Sequence, residues 1–172
     1  MLAANQVLLQ LINITTYALD GFALAAETLV GQALGAKNRG LLRKSVVITS
    51  QWGVVLVILM AASFFVFGDL FIHTMTTAQD VRMVCYEYLP WIVIVPLVGV
   101  AAWMLDGVFI GATRTGDMRN MMFVSFSIYL VALVVLLPSF GNHGLWAAMI
   151  IFYIVRGVTL GFKYHHIESS AD

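Results

Sequence analysis

Charged residues are scarce in this chain of 172 residues. Only 10% of the sequence is Asp, Glu, Lys or Arg, whereas soluble domains carry about 25%. Hydrophobic residues make up 61%, which would leave a soluble fold without enough polar side chains to cover its surface. The shortage of charge therefore excludes an ordinary soluble domain and indicates an integral membrane protein.

Cysteine is nearly absent and net charge is wholly absent. The single Cys85 excludes an internal disulfide, and the adjacent His165 and His166 lack the further ligands that a metal ion needs. Because the formal net charge is zero, no polyanionic partner such as nucleic acid is indicated. A membrane enzyme would need a clustered nucleophile and base or a metal site, and the sequence has neither pattern.

Long uncharged runs mark the membrane spans, because a helix needs about 20 apolar residues to cross the bilayer. Residues 45–68, 88–105 and 120–155 contain no charged side chain. The last run is too long for one helix and is interrupted at 138–144, where the composition is typical of a turn. We therefore predict an all-α membrane protein with five transmembrane helices, near 7–36, 45–68, 86–112, 118–137 and 145–163.

The basic residues predict how these helices are oriented. Seven of them follow the first, third and fifth spans: Lys37, Arg39, Arg43, Lys44, Arg114, Arg119 and Lys163. The opposite side has only Arg82, together with three acids. We predict that the basic side is cytoplasmic, which places the C-terminus inside and the N-terminus outside a cell inner (plasma) membrane. The N-terminus has no secretory signal, so we expect at least one further helix upstream.

Four ionisable side chains fall within the predicted spans, where a charge is costly and usually faces a bundle interior or a wet cavity. The candidates for ion, proton or substrate binding are Asp20, Glu27, Asp106 and Arg156. For the acids the alternative is a structural hydrogen bond, and Asp106 could instead lie near the membrane interface. Arg156 either pairs with one of the acids or extends its guanidinium towards the interface.

The first helix has two further patterns. Asp20 and Glu27 are two turns apart, about 10 Å along the axis, so they share one helix face. Gly31 and Gly35 have the small-xxx-small spacing that permits close helix contact.

The third helix has patterns of its own. Pro90 and Pro96 can kink it ahead of Asp106. Its Leu-Asp-Gly at 105–107 repeats residues 19–21, which reflects either chance or two like sites facing each other across a cavity. The default interpretation of the tryptophans is that they are interface anchors, and the alternative is an aromatic lining for a drug-like cation: Trp52, Trp91, Trp103 and Trp146.

Three motifs resemble the multidrug and toxic compound extrusion (MATE) family, and most closely its DinF-like branch. Residues 30–36 read Val-Gly-Gln-Ala-Leu-Gly-Ala, a stretch that ends the second helix of each six-helix lobe in that family. The others are Leu-Asp-Gly-Val-Phe-Ile-Gly-Ala-Thr-Arg at 105–114, followed by Met-Arg-Asn at 118–120, and Gly-Asn-His-Gly-Leu-Trp at 141–146. The resemblance implies that residues 1–172 are a partial C-terminal lobe, helices eight to twelve of twelve.

The resemblance also implies a function. Such a protein is a proton- or sodium-coupled antiporter that exports small organic, often cationic, compounds by alternating access, with no cofactor besides the coupling ion. The acid that the family often carries in the fourth helix of this lobe corresponds to Asp106. The implied partners are the bilayer, the N-terminal lobe and a seventh helix. The alternative is a truncated, non-transporting membrane fragment or scaffold subunit.

Overall fold

The structure, a computed structural model, describes residues 1–171, and within them the chain forms five α-helices and a short 3₁₀ turn, Ser169–Ala171. The helices are α1 (Leu2–Gly35), α2 (Arg39–Met75), α3 (Gln79–Gly111), α4 (Thr115–Phe140) and α5 (Asn142–Glu168). Each is long and apolar enough to cross a membrane. The predicted all-α class with five spans is confirmed.

The helices are longer than the uncharged runs predicted. The largest difference is in α2, which begins at Arg39 instead of residue 45 and ends at Met75 instead of residue 68. At 1.5 Å per residue its 37 residues cover about 55 Å, well beyond the roughly 30 Å hydrocarbon layer. Charged residues are tolerated where a helix leaves the hydrocarbon, so hydropathy detects only the middle of each helix.

The turn predicted at 138–144 is much shorter than its composition indicated. Pro138 lies inside α4 near its end, and Gly141 alone separates α4 from α5, with a positive φ of 55°. The hairpin closes tightly because Gly144 has no side chain: a Cβ there would lie 2.3 Å from the carbonyl oxygen of Leu136. Glycines at two positions, 141 and 144, therefore allow a tight turn where the sequence predicted a loop of seven residues.

The prolines of α3 do not divide it. The helix runs continuously from Gln79 to Gly111 with Pro90 and Pro96 inside it. Helical dihedral angles are instead interrupted in α2 at Phe67, where φ is −110° and ψ is 15°. A Cβ on the adjacent Gly68 would lie 2.5 Å from the side chain of Leu89 on α3, so the interruption occurs where the two helices approach closely.

α3 is the central helix of the bundle and packs against α1, α2 and α5, whereas α4 packs mainly against α5. Ion pairs place the start of α2 beside the end of α5 and the start of α4 beside Lys163, so the basic connections share one end of the bundle, here called the basic end. Only one residue of α4, Ser125, is fully buried. The exposed apolar side chains of α4 are those expected of a helix that faces lipid.

α1 and α3 approach each other at the backbone. A Cβ on Gly107 would lie 2.4 Å from the carbonyl oxygen of Ala23, and one on Gly111 would lie 2.3 Å from that of Glu27. The pattern singled out in the sequence contributes less: a Cβ on Gly31 would lie 3.5 Å from the Gly111 oxygen, and one on Gly35 would meet nothing within 4 Å. The close contact is therefore made by the glycines of α3.

The connections after α1 and α3 have the same backbone design. Lys37 (φ 47°) and Thr113 (φ 56°) occupy equivalent places, and the same three backbone hydrogen bonds cap each helix. Aligning these caps pairs residues 76 positions apart, so the residue equivalent to Asp106 is Val30 and not Asp20. The repeated Leu-Asp-Gly is consequently not part of this structural equivalence.

Candidate functional site

A groove between α1 and α3 brings the three acids of the spans together. It has a volume of about 280 Å³ and lies beside the glycine contact described above. Its walls are formed by Asp20, Ala23, Leu24 and Glu27 of α1 and by Trp103, Asp106, Gly107 and Ile110 of α3. Spacings of three and four residues place each set on one helix face, so the pitch of the α-helix aligns the carboxylates.

Asp106 forms an ion pair with Arg156 of α5. Nη2 of the guanidinium donates to Oδ1 at 2.7 Å, and Nε donates to Oδ2 at 3.3 Å. The arginine side chain is 8% exposed and the aspartate side chain 25% exposed. Of the two alternatives for Arg156, the structure has the pairing and not the extension to the interface.

Besides Asp106, the guanidinium has one other hydrogen-bond partner among residues 1–171. Its Nη1 lies 2.7 Å from Sδ of Met122 on α4, and a thioether is a weak acceptor. The guanidinium therefore depends on Asp106 for charge compensation, and the pair ties α3 to α5 in the interior of the bundle.

Asp20 and Glu27 are less enclosed. Asp20 is exposed and Glu27 is half-buried, and within residues 1–171 neither carboxylate has a hydrogen-bond or ion-pair partner. A carboxylate at this depth requires water, a cation or a protein partner, because lipid cannot solvate it. The binding roles of these residues, and those of Asp106 and Arg156, remain predictions.

Aromatic side chains lie next to the ion pair, and among them the sequence singled out only Trp103. Trp103 lines the groove and meets Tyr153 of α5 edge to face, with ring centroids 5.0 Å apart. Phe152 joins Tyr153 to Tyr129 of α4 through two further edge contacts. Trp103 is thus part of the groove wall, as the alternative of an aromatic lining predicted. Its spacing of three residues from Asp106 was the available signal.

The groove does not have the composition of a dedicated metal site. Within the described part of the chain, no three His, Cys, Asp or Glu side chains are close enough to hold a metal ion together. What the arrangement offers is separated carboxylates in a membrane interior, one of them already paired with a fixed cation.

A bundle of membrane-spanning helices with ionisable side chains inside the spans is typical of a polytopic transporter. Residues 1–137 match the family model described as MatE. The DNA damage-inducible protein F of Escherichia coli (strain K12) is 38% identical over 160 residues, which cover 93% of this chain and 35% of that protein. The chain belongs to the MATE family of membrane transporters, as its motifs predicted.

A solved structure agrees on the fold. The chain matches the crystal structure of the eukaryotic MATE transporter AtDTX14 with a TM-score of 0.89, over 98% of this chain and 39% of that one. At 19% identity this likeness concerns the fold alone. The chain spans little more than a third of the length of either protein.

Proposed function

We propose that this chain is part of a proton- or sodium-coupled antiporter that exports small organic, often cationic, compounds by alternating access. The observation that supports this most strongly is the acidic groove, in which Asp20, Glu27 and Asp106 face one volume inside the membrane spans. A buried carboxylate is stable only with a proton or a cation beside it, so its occupancy changes the energy of the surrounding helices. Binding then favours one orientation of the bundle over another.

An exposed polar stripe on α1 supports a partner for this lobe. It runs along the helix through Gln6, Gln10, Asn13, Tyr17, Asp20, Thr28 and Gln32, and all of these residues are exposed. Amide and carboxylate side chains are costly in hydrocarbon, so this face requires water or protein. We propose that the N-terminal lobe and a seventh helix complete the cavity here, because alternating access needs two bundles that move about a central site.

The proposed location is the inner (plasma) membrane, with the basic end cytoplasmic. This follows from the distribution of Lys and Arg, which sets orientation in most multi-pass proteins. The second candidate function is a non-transporting membrane fragment or scaffold subunit. In that case the ion pair between Asp106 and Arg156 only holds α3 to α5.

The test separates these candidates. The chain is expressed alone and together with a complementary half taken from a MATE relative, in cells that lack their own efflux pumps, and resistance to cationic drugs is measured. We expect resistance only from the pair, and we expect Asp106→Asn to abolish it. Asp80→Asn, which changes the same residue type in the first turn of the same helix, is the matched control and should retain resistance. Efflux by the chain alone, or full coupling in Asp106→Asn, would contradict the proposal.

A further inference from the structure

We infer that Arg156 is an internal substitute for the coupling cation: it occupies Asp106 while the groove is empty and is displaced when a cation binds. The inference rests on the proposed function, since it describes how the site of that antiporter is regulated. It assigns Arg156 a positioning role in coupling. If the ion pair were purely structural, Arg156 would have no such role.

The position of Asp106 between Arg156 and the groove supports the inference. Arg156 reaches the carboxylate from α5 and is almost fully buried, whereas the carboxylate itself is a quarter exposed and lines the groove. A cation in the groove can therefore reach the exposed part of the carboxylate while Arg156 still holds both of its oxygens from α5. One carboxylate then faces two positive charges, and it can compensate only one of them fully.

Within residues 1–171, Arg156 has no ion-pair partner besides Asp106, which makes the two states exclusive. Once Asp106 is protonated or holds a cation, the only other described hydrogen-bond acceptor of the guanidinium is Sδ of Met122. A buried arginine without its anion is strongly unfavourable, so cation binding must be accompanied by a movement of the arginine. Arg156 therefore weakens cation binding and couples it to a rearrangement.

The contact between α5 and α3 offers a place for that rearrangement. Gly157 follows Arg156, and a Cβ built there would lie 3.4 Å from Cβ of Ala101 on α3, an ordinary packing distance. Small residues on both helices allow one to shift past the other without large side chains interlocking. Release of the ion pair would then loosen α5, and with it α4, relative to α3.

The experiment uses the complete transporter, with both halves reconstituted in proteoliposomes. The variants are Arg156→Gln, Arg156→Lys, Asp106→Asn and the double variant Asp106→Asn/Arg156→Gln. Arg119→Gln is the matched control, because Arg119 is an exposed arginine in the first turns of α4 and does not contact the pair. Two quantities are measured: the cation concentration that gives half-maximal efflux, and the cation flux in the absence of organic substrate.

We expect Arg156→Gln to lower the half-maximal cation concentration about tenfold and to raise the substrate-independent cation flux, because the internal competitor is gone. Arg156→Lys should shift both quantities in the same direction by less, because a lysine retains the charge without the two-point contact. Arg119→Gln should match the unmodified protein. If Arg156→Gln fails to insert, the result for Arg156→Lys decides the test, because the lysine still compensates the negative charge of Asp106.

Two results would overturn the inference. One is a folded Arg156→Gln or Arg156→Lys protein whose cation dependence and leak are unchanged. The other is a double variant that regains efflux with the original cation dependence, which would make the pair structural only. Failure of the proposed function looks different, because Asp106→Asn alone would then retain coupled efflux.

Discussion

The backbone contact between α1 and α3 leads to a sharp prediction for Gly111→Ala. The new Cβ would lie 2.3 Å from the carbonyl oxygen of Glu27, and real Cβ atoms essentially never come closer than 3.0 Å to such an atom. A helix carbonyl cannot rotate away as a flexible side chain can, so the two helices would have to separate by about 0.7 Å or more. Overpacking of this kind costs about 1–3 kcal/mol, and at the last residue of α3 the gain from replacing a mid-helix glycine does not offset it.

The matched control is Gly21→Ala, where an added Cβ meets nothing within 4 Å. The free energy of unfolding of the 172-residue chain is measured for both variants by titration from mild into denaturing detergent. We expect Gly111→Ala to be less stable than the unmodified chain and Gly21→Ala to be equally or more stable. Equal stability of Gly111→Ala and Gly21→Ala would refute the close contact, and with it the geometry of the groove beside it.

Three further predictions concern topology, charge and the opposite end of the bundle. Reporter fusions are made in turn after Lys44, Asp80, Arg119, His143 and Asp172. They should report inside, outside, inside, outside and inside, in that order. An outside report after Lys44 or Asp172 would refute the topology. Asp106→Asn should destabilise the chain by about 3–5 kcal/mol because it leaves Arg156 buried without its anion, and the double variant with Arg156→Gln should recover part of that loss in the same unfolding assay. The amides of Asn5 and Asn142 donate to each other at 2.6 and 3.0 Å, linking α1 to α5. Asn142→Ala should therefore cost about 1–2 kcal/mol, and a loss no larger than that of the exposed Asn120→Ala would count against this link.

The class of the protein and the number of its helices follow from the amino-acid sequence alone. Both follow from local properties, because an uncharged run long enough to cross a bilayer has few alternatives to a helix. The sequence also identified the four ionisable residues of the spans, since a charge in hydrocarbon is conspicuous wherever it occurs. The short motifs were sufficient to recognise the family, which the comparison with related proteins confirmed.

Which residues meet depends on how the helices pack, and the sequence does not show it. Asp106 and Arg156 are 50 positions apart, and nothing in their local sequence indicates that α5 turns its arginine towards α3. The same is true of Gly107 and Gly111, whose spacing matches that of Gly31 and Gly35 although only the pair on α3 lies directly against a backbone. In a membrane the lipid-facing and buried sides of a helix are equally apolar, so hydrophobic periodicity does not report helix rotation. The neighbours of each helix are chosen by shape and by a few polar contacts, and these exist only once the helices have packed.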